Sequence, residues 1–262
     1  MVERGQMAIR EQKFECGDYL EASIYPVFGY RCSQKGKRRR ISRKPTREVQ
    51  QALNRKNSAR ACNRLICANF THDDWYLTLT FKGDIPTPEE AKKAIDSFLA
   101  KVKRRLAKLG KVMKWVKCEE VGTRNGRPHF HLVLTGGLTP QEMAALWGKG
   151  YIDCKPLMFS ADGVMGLAKY FGKQKKNEAG DGKKGKSWTC SRSCTHPEPK
   201  TNDYRYTKRR AAELAKEKEN ARFFEKLYPG YICHECEPFY NDESGLYYIH
   251  MIFYRKGAKL DV

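Results

Sequence analysis

Apolar and polar residues alternate through Trp75-Tyr76-Leu77-Thr78-Leu79-Thr80-Phe81. A period of two among β-branched and aromatic residues predicts a strand. Thr87-Pro88-Glu89-Glu90 then joins a capping hydroxyl, a proline at the first helical position and a glutamate three residues after the cap. This is helix-start chemistry. Ile95, Phe98, Leu99, Val102, Leu106 and Leu109 follow at helical spacing, and Gly110 ends the run. Val112 to Val121 reads as a second strand, Asn125-Gly126 as a two-residue hairpin turn, and Pro128 to Thr135 as the returning strand. Thr139-Pro140-Gln141-Glu142 repeats the helix start, and that helix closes near Gly148. Tyr151 to Leu157 predicts a strand, and Ser160 to about Lys176 a helix.

The order β-α-β-β-α-β-α predicts an α+β fold: a mainly antiparallel sheet with flanking helices. Upstream, residues 1–34 are weakly patterned, and Pro45-Thr46 starts a predicted helix reaching about Cys67. Downstream, the pattern predicts one charged helix from about Thr207 to Leu227. A hairpin follows, from YICHECEPFY to LYYIHMIFY. We therefore expect a basic arm and helix in residues 1–69, a core in 70–200 and a helix-hairpin extension in 201–262.

Composition changes the picture through charge. The 262 residues carry 51 Lys and Arg against 30 Asp and Glu, a net charge of +21. Such an excess points to a polyanionic partner, because displacing counterions from nucleic acid drives association. Much of it is local: Arg38, Arg39, Arg40, Arg43 and Lys44 lie in a stretch from Gln34 to Arg60 opposed only by Glu48. We expect this arm and its helix to follow a phosphate backbone. No apolar run approaches the ~18 residues of a spanning helix. The start MVERGQMAIREQ has no apolar signal core, so a cytoplasmic location is expected. The ten cysteines then read as reduced thiols. Cys190, Cys194 and His196 with Cys233 and Cys236 have zinc-ligand spacing on paper, but ordinary thiols are the expectation.

The most informative segment is Pro128-His129-Phe130-His131-Leu132-Val133-Leu134. Side chains of a strand alternate between faces, so His129 and His131 share one and Phe130 and Leu132 the other. Two imidazoles so placed can share one divalent ion. With Asn125-Gly126 as the turn, Glu120 lies directly opposite His131 and joins the pair, and Glu119 lies opposite Leu132. Two imidazoles and a carboxylate suit Mg2+ or Mn2+, and Zn2+ also fits. In the next predicted helix, Tyr170 and Lys173 are three apart and share a face. A phenol becomes a useful nucleophile beside a metal that polarises the phosphate it attacks. Lys173 would stabilise phenolate or phosphate charge.

These residues, in this order, resemble a known family. Leu77-Thr78-Leu79-Thr80, then Gly126-Arg127-Pro128-His129-Phe130-His131, then Tyr170-Phe171-Gly172-Lys173 are similar to the three ordered motifs of HUH endonucleases, among them the rolling-circle replication initiators (Rep proteins) of small phages and plasmids. Glu120 precedes the first histidine by nine residues, as in several members. Lys44-Pro45-Thr46 through Ala68-Asn69-Phe70 resembles the N-terminal region of Rep-like proteins of Gram-positive bacteria. SWTCSRSCTHP resembles their segment after the tyrosine. The resemblance spans about residues 35–200.

It implies a ferredoxin-like or RRM-like sheet with a metal on its face, and attack by Tyr170 on a phosphate of single-stranded DNA at an origin. The products would be a 5′-phosphotyrosyl enzyme and a 3′-hydroxyl that primes a polymerase, and reversal would reseal the strand without ATP. Thr78, Thr80 and Lys169 are expected to contact that DNA, and a host helicase and polymerase are expected partners. Some relatives carry a second tyrosine four residues earlier. Gly166 stands there, so a single-tyrosine mechanism is expected.

Gly180 to Ser187 fits the written pattern of a P-loop, but QKKNEA before it and WTCSRS after it supply neither buried strand nor helix. It reads as a basic loop. Other functions remain open at this point: a transposase or relaxase using the same chemistry, a silent single-stranded DNA-binding protein, and a zinc hydrolase without a covalent intermediate.

Overall fold

The computed structural model describes residues 7–28, 48–122, 126–173 and 186–261. Arg38, Arg39, Arg40, Arg43, Lys44, the Pro45-Thr46 helix start and most of the Gly180 to Ser187 loop lie outside the described residues. The chain forms two compact units, one of residues 1–46, 160–163 and 197–262, the other of 47–159 and 164–196. Each has its own five-stranded antiparallel sheet, so the fold class is α+β.

In the second unit the elements are α1 (Glu48–Asn69), β3 (Trp75–Leu79), α2 (Pro88–Lys108), β4 (Trp115–Val121), β5 (Pro128–Leu134), α3 (Pro140–Trp147), β6 (Ile152–Pro156), α4 (Met165–Phe171) and β7 (Thr189–Cys190). The strands order as β6-β3-β5-β4-β7. From β3 to β6 this is the split β-α-β-β-α-β arrangement of ferredoxin-like sheets. Both helix-start motifs form their capping boxes, Thr87 with Glu90 and Thr139 with Glu142. Gly148, at φ 58°, ends α3 in the left-handed conformation that favours glycine. Ile95, Phe98, Val102 and Leu106 of α2 and Met143 and Trp147 of α3 cover one sheet face, packing on Leu77, Leu79, Phe130, Leu132 and Leu134.

The expected register of the β4–β5 hairpin is corrected. Val121 pairs with Pro128 and Glu120 with His129, while Cys118 pairs with His131 and Glu119 with Phe130. Gly126 N–H donates to the Gly122 carbonyl at 2.9 Å, so the connection closes through a longer loop than a two-residue turn. The slip is two residues. The pleat repeats every two residues, so Glu120 keeps the face it was assigned. Arg127 fastens this end of the hairpin, donating to the carbonyls of Phe81 at 2.9 Å and Gly83 at 2.8 Å.

The helix expected from Ser160 begins at Met165, because Ser160 and Gly163 exchange backbone hydrogen bonds in a tight turn. The first unit corrects two further readings. Weakly patterned residues 1–34 contain a hairpin, β1 (Met7–Cys16) and β2 (Tyr19–Phe28), turning at Gly17 with φ 61°. The charged segment is two helices, α5 (Lys208–Lys216) and α6 (Ala221–Leu227), because the Asn220 side chain caps a new start by accepting from Phe223 N–H. With β8 (Lys200–Tyr206) and the C-terminal hairpin β9 (Tyr231–Asn241) and β10 (Leu246–Arg255), the sheet orders as β8-β1-β2-β10-β9. The C-terminal hairpin forms as its sequence predicts.

Candidate metal centre and tyrosine

Strand alternation sends Phe130 and Leu132 into the α2 core and leaves His129 and His131 on the opposite face. Glu120 on β4 points to that face beside His129. Its Oε2 lies 3.4 Å from His129 Nε2 and 3.6 Å from His131 Nε2. Glu120, His129 and His131 are the one such group of potential metal ligands among the described residues, with ligand atoms within 4.8 Å of one another.

The donor set fits a divalent cation. Two donors each about 2.1 Å from one ion, at octahedral to tetrahedral angles, stand about 3.0–3.4 Å apart. The acid-to-imidazole separations are close to that. The outer ring nitrogens support the same assignment. His131 Nδ1 meets the Tyr76 hydroxyl at 2.8 Å and the Thr78 hydroxyl at 3.3 Å, and His129 Nδ1 faces the Arg127 carbonyl at 3.5 Å. A carbonyl only accepts, so His129 carries its proton on Nδ1. With His131 donating to Tyr76, both rings turn an unprotonated Nε2 toward Glu120. Such hydrogen bonds fix a ligand's tautomer and orientation.

His131 is 7% exposed. Burial, then repulsion from a charged His129, lowers its pKa to about 4, with Glu120 opposing in part. The ring is therefore neutral, the form a metal ligand needs.

α4 brings Tyr170 to the same face. Its hydroxyl donates to His131 Nε2 at 2.8 Å, and the two rings meet edge to face with centroids 4.8 Å apart. The lone pair that accepts this phenol is the one an ion would use. α4 is held in place by α1: the Asn63 side-chain oxygen, fully buried, accepts from Val164 N–H at 2.8 Å, ahead of the first helical residue. Lys173 Nζ stands 4.9 Å from the Tyr170 ring centroid.

The other residues expected from sequence divide. Thr78 joins the cluster through His131. Thr80 does not, because its hydroxyl donates to the Tyr151 carbonyl at 3.2 Å. Lys169 is exposed on α4. Gly166 meets nothing within 4 Å where a side chain would start. Tyr76 was missed. The alternation of WYLTLTF places it on the Thr78 face, but its partner depends on β3 lying beside β5, which is not a local property. The nine described cysteines are free thiols. Cys190 and Cys194 belong to one unit, Cys233 and Cys236 to the other.

Among known proteins, residues 74–175 match the model of one family, described as Replication-associated protein ORF2. The matched stretch runs from β3 to just beyond α4 and includes Glu120, His129, His131 and Tyr170. This part of the chain is similar to replication-associated proteins. No curated protein and no solved structure gave a significant match. No described helix is long and apolar enough to cross a membrane.

Proposed function

We propose that the chain is a rolling-circle replication initiator of the HUH endonuclease type, similar to those of Gram-positive bacteria and their mobile elements. It cuts single-stranded DNA at an origin, keeps one end on Tyr170 and later rejoins it. One observation carries this reading: the Tyr170 hydroxyl oxygen lies 2.8 Å from Nε2 of His131, within the Glu120, His129 and His131 cluster. The match of residues 74–175 to replication-associated proteins supports it.

Glu120, His129 and His131 would hold Mg2+ or Mn2+. When bound, that ion supplies positive charge that polarises the phosphate and stabilises the leaving oxygen. Tyr170 Oη forms a bond to phosphorus and the phosphorus–O3′ bond breaks. The phenol gives up its proton, and the departing 3′-oxygen takes one up. The products are a 5′-phosphotyrosyl protein and a 3′-hydroxyl. Attack by a 3′-hydroxyl on the phosphotyrosine reverses the step and restores Tyr170 without a nucleotide cofactor. Lys173, beside the ring, favours negative charge on the phenol oxygen. With Gly166 where a second tyrosine would stand, each cycle uses one phenol.

The proposed DNA contacts are Thr78, Thr80 and Lys169 with Arg38, Arg39, Arg40, Arg43 and Lys44. The 3′-hydroxyl would be extended by a host polymerase, with unwinding by a host helicase in the cytoplasm.

The test is a labelled single-stranded origin oligonucleotide incubated with the full chain and Mn2+. Wild type is expected to give an adduct that survives denaturing electrophoresis. Tyr170→Phe is expected to bind the oligonucleotide and give none, and chelation should stop cleavage while binding persists. Cleavage by wild type with no adduct would replace this reading with hydrolysis by water.

A further inference from the structure

α2 presents a surface that this function does not use. Its inner side, through Ile95, Phe98, Val102 and Leu106, packs on the sheet face opposite Glu120, His129 and His131. Its outer side is basic. From Ser97 to Cys118 the chain carries Lys101, Lys103, Arg104, Arg105, Lys108, Lys111, Lys114 and Lys117 and no Asp or Glu. The first six are exposed. At helical spacing, Lys93, Lys101, Arg104 and Lys108 fall on one outward line, over about 22 Å at 1.5 Å per residue. Ser97, Ala100 and Ala107 lie between them, so the cations stand clear of bulky neighbours. The acids of this helix are engaged elsewhere: Glu90 in the capping box and Asp96 with Lys117 at 3.7 Å.

Basic residues near a helix C-terminus also complement its dipole, but that effect ends within the last turn. The row here begins earlier and extends past the helix to Lys111.

We propose that the outward face of α2 binds the phosphate backbone of double-stranded DNA without regard to sequence, as a surface separate from the metal and tyrosine site. The charge selects a polyanion. The residue types select the duplex: single-strand grooves stack bases on aromatic rings, and the exposed side chains from Lys101 to Val112 include none. No Asn or Gln is present in that stretch to read base edges. On the opposite side of the sheet from Tyr170, this face is placed to grip duplex flanking the strand that enters the site.

The test compares the full chain with the triple variant Lys101→Gln, Arg104→Gln, Lys108→Gln. A control variant, Lys208→Gln, Lys216→Gln, Lys218→Gln, removes the same charge from the α5 region. Fluorescence anisotropy follows binding of an arbitrary labelled duplex over a salt series, and of a short single strand. Each lost phosphate contact lowers the salt slope by about 0.9, so the α2 variant should lose about two to three from the slope and about tenfold or more in duplex affinity at low salt. The single strand should bind as before, and thermal unfolding should be unchanged. The control should keep wild-type duplex binding. Unchanged duplex binding by a folded α2 variant overturns the proposal, as does an equal loss in the control. An equal loss for single strand and duplex overturns the choice of duplex. These readouts do not depend on strand cleavage, so they stand or fall apart from the tyrosine mechanism.

Discussion

Tyr76 and His131 show how single residues prepare the site. The Tyr76 hydroxyl meets His131 Nδ1 at 2.8 Å, and its ring lies nearly parallel to the imidazole, 9° between planes. Tyr76→Phe keeps the ring and removes that bond. Loss of such a partner typically weakens a metal site by about 10–100-fold, so Mn2+ affinity should fall toward that range by calorimetry. Unchanged affinity would assign Tyr76 to packing alone. The proton equilibrium of His131 gives a second expectation. Its folded pKa is about 4, below the ordinary value of about 6.5. Between those values the unfolded state holds more protons, so this ring's contribution is full above about pH 6.5 and declines as pH falls toward 4. In a metal-free NMR titration the His131 ring signals should stay flat from neutral pH to about 5. A midpoint near 6.5 would refute the burial argument.

At the scale of elements, the site depends on β3, β4 and β5 holding register while α4 is clamped from α1. Gly150 shows how tightly the entry to β6 is packed. Thr80 N–H donates to the Tyr151 carbonyl at 2.9 Å and Lys82 N–H to the Lys149 carbonyl at 3.0 Å, so the chain leaving β3 passes directly over Gly150. An added Cβ would collide with the Thr80 carbonyl. Gly150→Ala should destabilise the chain by about 1–3 kcal/mol, the usual cost of overpacking, read as a lower thermal midpoint. An unchanged midpoint would mean the backbone yields freely there. Capping boxes, helix periodicity and strand alternation in this unit were legible because each is written within a few neighbouring residues. The β4–β5 register was not, because loop closure beyond Gly122 decides it.

At the scale of the molecule, distant segments share one core. Glu11 on β1, 2% exposed, accepts from Arg205 Nη1 at 2.7 Å and from the Tyr228 hydroxyl at 2.8 Å. Burial raises the Tyr228 pKa well above its ordinary value, so that phenol stays a donor. Arg205→Ala would leave a buried carboxylate without its cation, at about 3–5 kcal/mol. Chemical denaturation followed at the first unit should show the loss, and a variant as stable as wild type would mean that Glu11 is not held as a charged pair. Arg205 also donates to the Leu227 carbonyl at 3.0 Å, so the substitution strikes two contacts that bind the N-terminal hairpin to the C-terminal segment.

The amino-acid sequence alone determined the elements of the second unit from β3 to α3. It also determined which residues of β5 share a face, because capping, periodicity and pleat act over a few neighbours. Tertiary structure decided that Glu120 pairs with His129, that Tyr76 braces His131, that Tyr170 reaches the same imidazole, and that the two chain ends build one sheet. Those outcomes depend on segments far apart in the chain coming together. Long-range pairing is selected by the whole buried core rather than by any local run of residues.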